Sequence, residues 1–333
     1  MRLFQYISIM LCIFLIGFYI YQNSPHYQII KGDIFGTYYN IKIRTDIKNK
    51  ELSNNIKAKL KDIDSTMSAF KDDSELSVIN KLSARKKLKL SPQMSKIMQA
   101  SRKVYNLSEG WFDPSLGRLI DIWGFGPVAA STPDETEINK ALASSGFDKI
   151  KSSDNFKTIY KTNSAVSLNL SAIAKGYAVD KISELLDEKG YTDYIVEIGG
   201  EIKVKGARSP ESQSWNVGIN KPTAESYENA MVVSISNISV ATSGNYRNFY
   251  KKGGQIFSHT ISHKTGKPAV TDALSVSVFH DSCMYADAYA TAIVAMGIEK
   301  GLKFADKNKL KVIIFNNKFE PVLSKAAQQI FVE

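Results

Sequence analysis

The run from Leu3 to Tyr21, LFQYISIMLCIFLIGFYIY, holds 19 residues without a charge and is preceded only by Arg2 and the amino terminus. That is close to the roughly 20 apolar residues a helix needs to cross a bilayer, so the rest of the chain must fold as a body tied to this end or released from it. A cleaved signal peptide is the rival reading, but no small-x-small site follows the run, where Tyr19, Tyr21 and Gln22 stand instead. Cys12 sits mid-run behind Met10 and Leu11, which are too bulky for a lipoprotein signal. Residues 1–24 are therefore read as a membrane anchor or signal segment. With Arg2 inside, residues 25–333 form one domain on the extracytoplasmic, periplasmic side of the cytoplasmic (inner) membrane.

The 333 residues are 44% hydrophobic, enough to bury a large core, and length alone permits one large domain or two. The net charge of +10 is spread along the chain rather than gathered in a tail. No zinc-finger, RNP or helix-turn-helix signature accompanies it, which speaks against nucleic acid and leaves a lipid surface or a polyanionic ligand. Cys283 is the only cysteine beyond Cys12, so the domain has no internal disulfide. The four histidines show no HExxH or Cys/His zinc spacing.

Ile29 to Ile43 reads as a strand pair broken by Gly32 and Gly36. Leu52, Ile56, Leu60, Ile63 and Met67 recur at three- and four-residue steps, predicting a helix over Glu51–Met67. Ser91-Pro92 opens another. Pro127 to Asn139 reads as a surface loop, Ser164–Leu170 as a strand, Ala172–Lys189 as a helix stopped by Gly190, and Tyr194–Ile198 as a strand. Short strands follow at Trp215–Ile219, Met231–Ser236, Gln255–Ile261 and Ser275–Phe279, then a helix over Met284–Met296 and a strand at Lys311–Phe315. Strands dominating one stretch with helices flanking it predict an α+β fold with a mixed or antiparallel sheet.

Five clusters join glycines to polar groups. Gly110 to Gly117 sets Trp111 and Phe112 beside Asp113, which makes either a plugged turn or a platform for a flat ligand. Asn169 to Asp180 runs into a helix start with Lys175 near its amino end, suited to an anion, although the P-loop glycines are missing. Asp287 and Thr291, four apart in a small apolar segment, offer the oxygen donors of a magnesium site or merely a backbone-bonded pair. Thr242 to Asn248 and Ser258 to Pro268, joined by a predicted turn at Lys251–Gly254, bring in Arg247 as an anion clamp and His259 as a proton carrier. Glu197-Ile198-Gly199-Gly200-Glu201 reads most simply as a turn or bulge.

The order of these clusters from about residue 30 onward resembles the ApbE-type flavin transferases, which are FAD:protein FMN transferases. The resemblance implies one flavin-transferase domain whose Mg²⁺ is held by the Ala172 carbonyl, the Asp287 carboxylate and the Thr291 hydroxyl. It places FAD against Phe35, Phe70, Trp111, Phe112, Asp113, Asn169, Lys175 and the segment around Ile261, and its acceptors are Thr or Ser hydroxyls of flavin-carrying proteins, such as subunits of sodium-pumping NADH:quinone oxidoreductases. Phe35 stands where Met is common, Phe70 where Tyr is, and Asn169 and Asn245 where Asp is usual. The reaction expected is attack of the acceptor hydroxyl on the FMN-side phosphorus, with His259 as base and AMP leaving. FAD hydrolysis and non-catalytic flavin binding are the alternatives.

Overall fold

The computed structural model describes Met10 and residues 26–127, 132–222, 228–244, 249–252 and 255–331. An eight-stranded antiparallel sheet forms the centre. In spatial order it contains β1 (Tyr27–Ile34), β2 (Thr37–Arg44), β3 (Tyr194–Ile198), β4 (Glu201–Lys205), β5 (Ile238–Gly244), β6 (Ala273–His280), β7 (Lys311–Asn316) and β8 (Pro321–Leu323). The expected α+β fold is thus observed, with the sheet wholly antiparallel.

Side chains of successive residues leave a strand on opposite faces. Val312 and Ile314 of β7 join the main core, whereas Ile313 and Phe315 join a second cluster around Trp215, Val217 and Val233. The hairpin Trp215–Asn220/Asn229–Ile235 covers that second face. Val312–Phe315 of β7 is therefore an unbroken apolar run, since both its faces are buried.

The first face packs against helices α1 (Lys50–Met67), α2 (Pro92–Leu107), α4 (Ser171–Glu188) and α5 (Cys283–Met296); α3 (Glu135–Ser144) lies further out. The stripe Leu52, Ile56, Leu60, Ile63 and Met67 is buried as its spacing predicts, and the Asn49 side chain caps α1 by accepting from Leu52 N–H. Helix α2 opens at Ser91-Pro92, where the Ser91 hydroxyl accepts from Met94 N–H.

Three expectations are corrected. The loop read over Pro127–Asn139 contains the start of α3, because Asp134 and Glu137 form a capping box that nucleates a helix at Glu135. Ser164–Leu170 is not a strand: it has one bridge, from Ser167 to Leu116, and side chains hold much of the rest of its backbone. Lys161 Nζ donates to the carbonyls of Ser164, Val166 and Asn80, and the Asn80 amide bonds both N–H and C=O of Leu168. The Gln255 strand ends at Ser258, and Ile261 makes only an isolated bridge with Pro268. Among the described residues no helix is long and apolar enough to cross a membrane. Apart from Met10, Leu3–Tyr21 lies outside those residues.

Candidate active site

A cavity of about 740 Å³ opens where the β3–β4 turn, the amino end of α4, helix α5 and the Gly110–Gly117 loop meet. Trp111, Phe112, Asp113, Asn169, Ala172, Lys175, His259, Ile261, Asp287 and Thr291 all line it, so most of the residues singled out from sequence converge. Arg247 and Asn245 lie outside the described residues. Phe35 occupies the β1–β2 turn with φ +55 and packs on the core; Phe70 is 72% exposed. Neither is among the cavity-lining residues.

The aromatic wall is built by two laced loops. Asp113 Oδ1 accepts from the Ser115 N–H and hydroxyl, and Asn169 Oδ1 accepts in the same way from Ser171. Asn169 N–H donates to the Pro114 carbonyl at 2.8 Å, and Gly117 N–H to the Ser167 carbonyl at 3.0 Å. A Cβ at Gly117 would meet that carbonyl oxygen at 2.8 Å, so only glycine allows this approach. With Asn169 Oδ1 taken by Ser171, the group left over is an amide donor, where Asp would offer a second acceptor. Desolvation raises the Asp113 pKa, opposed by its bonds to Ser115. Trp111 meets the edge of His263 at 5.0 Å, and the ammoniums of Lys264 and Lys300 lie over its ring at 5.1 and 5.3 Å. Half-buried His259 packs edge-on to Phe125.

The opposite wall is the contact of α4 with α5. A Cβ at Gly176 would lie 2.3 Å from the Cys283 carbonyl oxygen, backbone that cannot yield, so glycine sets the distance between the helices. Across that contact Gly176 N–H donates to Asp287 Oδ2 at 3.0 Å. In a regular helix this N–H serves the Ala172 carbonyl, so Asp287 competes for the donor of the carbonyl beside it. Asp180, one turn further along α4, accepts from the N–H groups of Cys283 and Met284 and from the Ser282 hydroxyl. It caps α5 from another helix and places a negative charge at its positive end.

Lys175 reaches into the same wall. Its Nζ lies 2.8 Å from Glu201 Oε1 and 4.0 Å from Asp287 Oδ1. Both carboxylates are almost wholly buried, whereas Lys175 keeps 29% of its side chain accessible. Burial works against the ammonium, but the Asp287 and Glu201 charges outweigh it and raise the Lys175 pKa. Desolvation pushes Glu201 up to about 7 and also raises Asp287, with Lys175 opposing each shift. Once Glu201 is ionised, two buried carboxylates share one cation, leaving a surplus negative charge. Glu201 Oε2 is buried without a hydrogen-bond partner among the described residues.

A hard divalent cation suits this end of the cavity. Among the described residues no three His, Cys, Asp or Glu side chains cluster as ligands, so the donors would be the mixed oxygens of Asp287, Thr291 and Ala172. Magnesium accepts such a sparse set, and its charge would offset the surplus. The Thr291 hydroxyl is already oriented by Ser243 Oγ at 3.2 Å.

Sequence reasoning treated Glu197–Glu201 as a turn. It is one, with Gly199 and Gly200 at φ +59 and +100, but Glu201 is also the partner of Lys175. Glu197 accepts from Tyr38 Oη at 2.6 Å at the cavity rim. The signal available was a pair of carboxylates beside glycines.

Comparison with known proteins identifies the family. The model of the ApbE family matches residues 35–314. A protein of Vibrio cholerae named FAD:protein FMN transferase is 32% identical over 320 residues, covering 91% of this chain and 95% of its own. One of Haemophilus influenzae with the same name is 33% identical, covering 86% and 85%. Among solved structures, the flavin transferase ApbE from Vibrio cholerae superposes with a TM-score of 0.84 at 30% identity, covering 92% of this chain and all of the other. The apo flavinyl transferase ApbE of Pseudomonas stutzeri gives 0.83 at 28% identity, covering 93% and 98%. With family match, relatives and architecture in agreement, the chain belongs to the ApbE family.

Proposed function

We propose that this enzyme is an FAD:protein FMN transferase that uses Mg²⁺ and joins FMN to a Thr or Ser hydroxyl of a partner protein through a phosphoester bond. The observation that carries this reading is the meeting, in one cavity, of an aromatic platform, a histidine and a carboxylate-rich end that is one cation short.

Trp111 and Phe112 supply flat apolar surface for a ring system, and Asp113 and Asn169 fix its polar edge. Lys175 faces the pyrophosphate and is held to that task by Glu201. Bound at Asp287, Thr291 and the Ala172 carbonyl, Mg²⁺ would neutralise phosphate oxygens. His259 takes the acceptor's hydroxyl proton as its oxygen bonds to the FMN-side phosphorus. The bridging P–O bond breaks, and AMP leaves with that electron pair.

Leu3–Tyr21 anchors the domain to the cytoplasmic membrane on its outer side in this proposal, supported by the run's length and the charge of Arg2. Incubation with FAD, Mg²⁺ and a Thr-containing acceptor tests the activity. A fluorescent flavin band on the denatured acceptor is expected. Free FMN alone would mean hydrolysis, and uncleaved FAD would mean a binding protein.

A further inference from the structure

A surface at the end of the sheet remote from the cavity is left without a role by the chemistry above. Thr45 N–H donates to the His26 carbonyl at 3.0 Å, so the chain enters the fold beside the exit of β2. There the segment Arg44–Glu51 and the turn Lys189–Thr192 enclose a shallow groove of about 650 Å³. Lys48, Lys50 and Lys189 line it, are exposed, and make no ion pair among the described residues. The nearby acids are partly engaged: Asp193 holds Arg44 at 2.7 Å and Asp46 lies 3.1 Å from His26, leaving Glu51 on the rim and exposed Glu188 beside Lys189. Ile47, 77% exposed, stands among the lysines, and half-buried Tyr191 borders them.

We propose that this groove rests on anionic lipid headgroups of the bilayer entered by Leu3–Tyr21, which holds the catalytic cavity at the far end of the sheet. The proposal rests on the anchored reading above. Five steps of chain separate Tyr21 from His26, at most about 17 Å when extended. The groove is therefore tethered near the headgroup layer. Each ammonium close to an anionic leaflet gains roughly 1 kcal/mol, over a screening length of about 8 Å. An exposed isoleucine among lysines suits an interface that is part apolar and part charged. Two strands fix the orientation. Thr45 and Thr192 line the groove while Tyr38 and Gly199 line the cavity. Each pair is seven residues apart along β2 or β3, roughly 23 Å at strand rise. The acceptor hydroxyl must then belong to a segment standing clear of the headgroups.

The test is lysine acylation of the full-length chain, read by mass spectrometry, in detergent, in phosphatidylcholine nanodiscs and in nanodiscs containing phosphatidylglycerol. Labelling of Lys48, Lys50 and Lys189 should fall about fivefold in the anionic discs and recover in high salt. Lys264 and Lys300, beside Trp111, should stay unchanged. Lys48→Glu/Lys50→Glu/Lys189→Glu should abolish protection of the remaining groove peptides in hydrogen exchange without altering FAD cleavage in detergent. Equal labelling in all three media overturns the proposal, as does protection of Lys264 and Lys300 instead. Protection by inorganic phosphate in detergent, or only after acceptor protein is added, also overturns it. A full-length chain that stays in solution without detergent overturns the anchored reading with it, whereas flavin transfer is scored independently with a water-soluble acceptor.

Discussion

Two lysines are drawn into this molecule and held in opposite ways. Lys161 is fully buried and gives its three protons to the carbonyls of Asn80, Ser164 and Val166, with no carboxylate paired to it among the described residues. Burial without a counter-charge lowers its pKa. Lys175 is drawn in by two carboxylates, and its pKa is raised. The first cation organises backbone, and its task is finished once the Ser164–Leu170 segment is in place. The second belongs to a cluster whose charges do not cancel, and an unbalanced buried cluster marks a place made for something else to bind.

The largest effect should come from breaking the unbalanced cluster. Asp287→Ala removes the carboxylate proposed to hold Mg²⁺, and flavin transfer at saturating Mg²⁺ should fall by about 100- to 1,000-fold. Wild-type rates in that variant would defeat the metal assignment. Next is Lys161→Met, which leaves three carbonyls without their donor. Denaturant unfolding should show a loss of about 3–5 kcal/mol, while the folded fraction keeps FAD cleavage within about threefold, because the site loses no group of its own. Loss of cleavage with stability unchanged would show that the two lysines do not divide their roles in this way.

A third experiment uses pH. The folded Glu201 pKa of about 7 lies above its ordinary value of 4.5, so the folded state holds a proton that the unfolded chain has released. That stabilisation is complete below about 4.5 and is lost as pH rises through about 7. A divalent cation would relieve the charge left behind, so the thermal shift produced by Mg²⁺ should be larger at pH 8 than at pH 5.5. An equal shift at both would separate Glu201 from the metal. The smallest effect is expected of Asn169→Asp. Its Oδ1 bonds to Ser171 survive the change, so the KM for FAD should move by only a fewfold.

The same pair of lysines shows what could be read from the chain. Lys175 stands inside a glycine-bearing motif at a helix start, where local spacing already suggests an anion site. Its partner Glu201 comes from a hairpin 26 residues on, and nothing local distinguishes a buried acid beside Gly199-Gly200 from an ordinary turn. Lys161 gave no signal. A lysine satisfied by carbonyls looks like any surface lysine, and the strand expected at Ser164–Leu170 failed because that backbone bonds to Lys161 and Asn80 rather than to a neighbouring strand. Helix α3 was legible in principle from Asp134 and Glu137 but was masked by the Pro/Ser/Thr content before it. Phe70 was placed on the ligand by resemblance alone, and its side chain is 72% exposed.

The bond from Gly176 to Asp287 spans 111 positions. The α4 half of that wall is made first, but the wall is complete only when the carboxy-terminal third of the chain supplies α5 and Asp180 caps it. An incomplete polypeptide can carry every residue of the aromatic platform and still be unable to cut a dinucleotide.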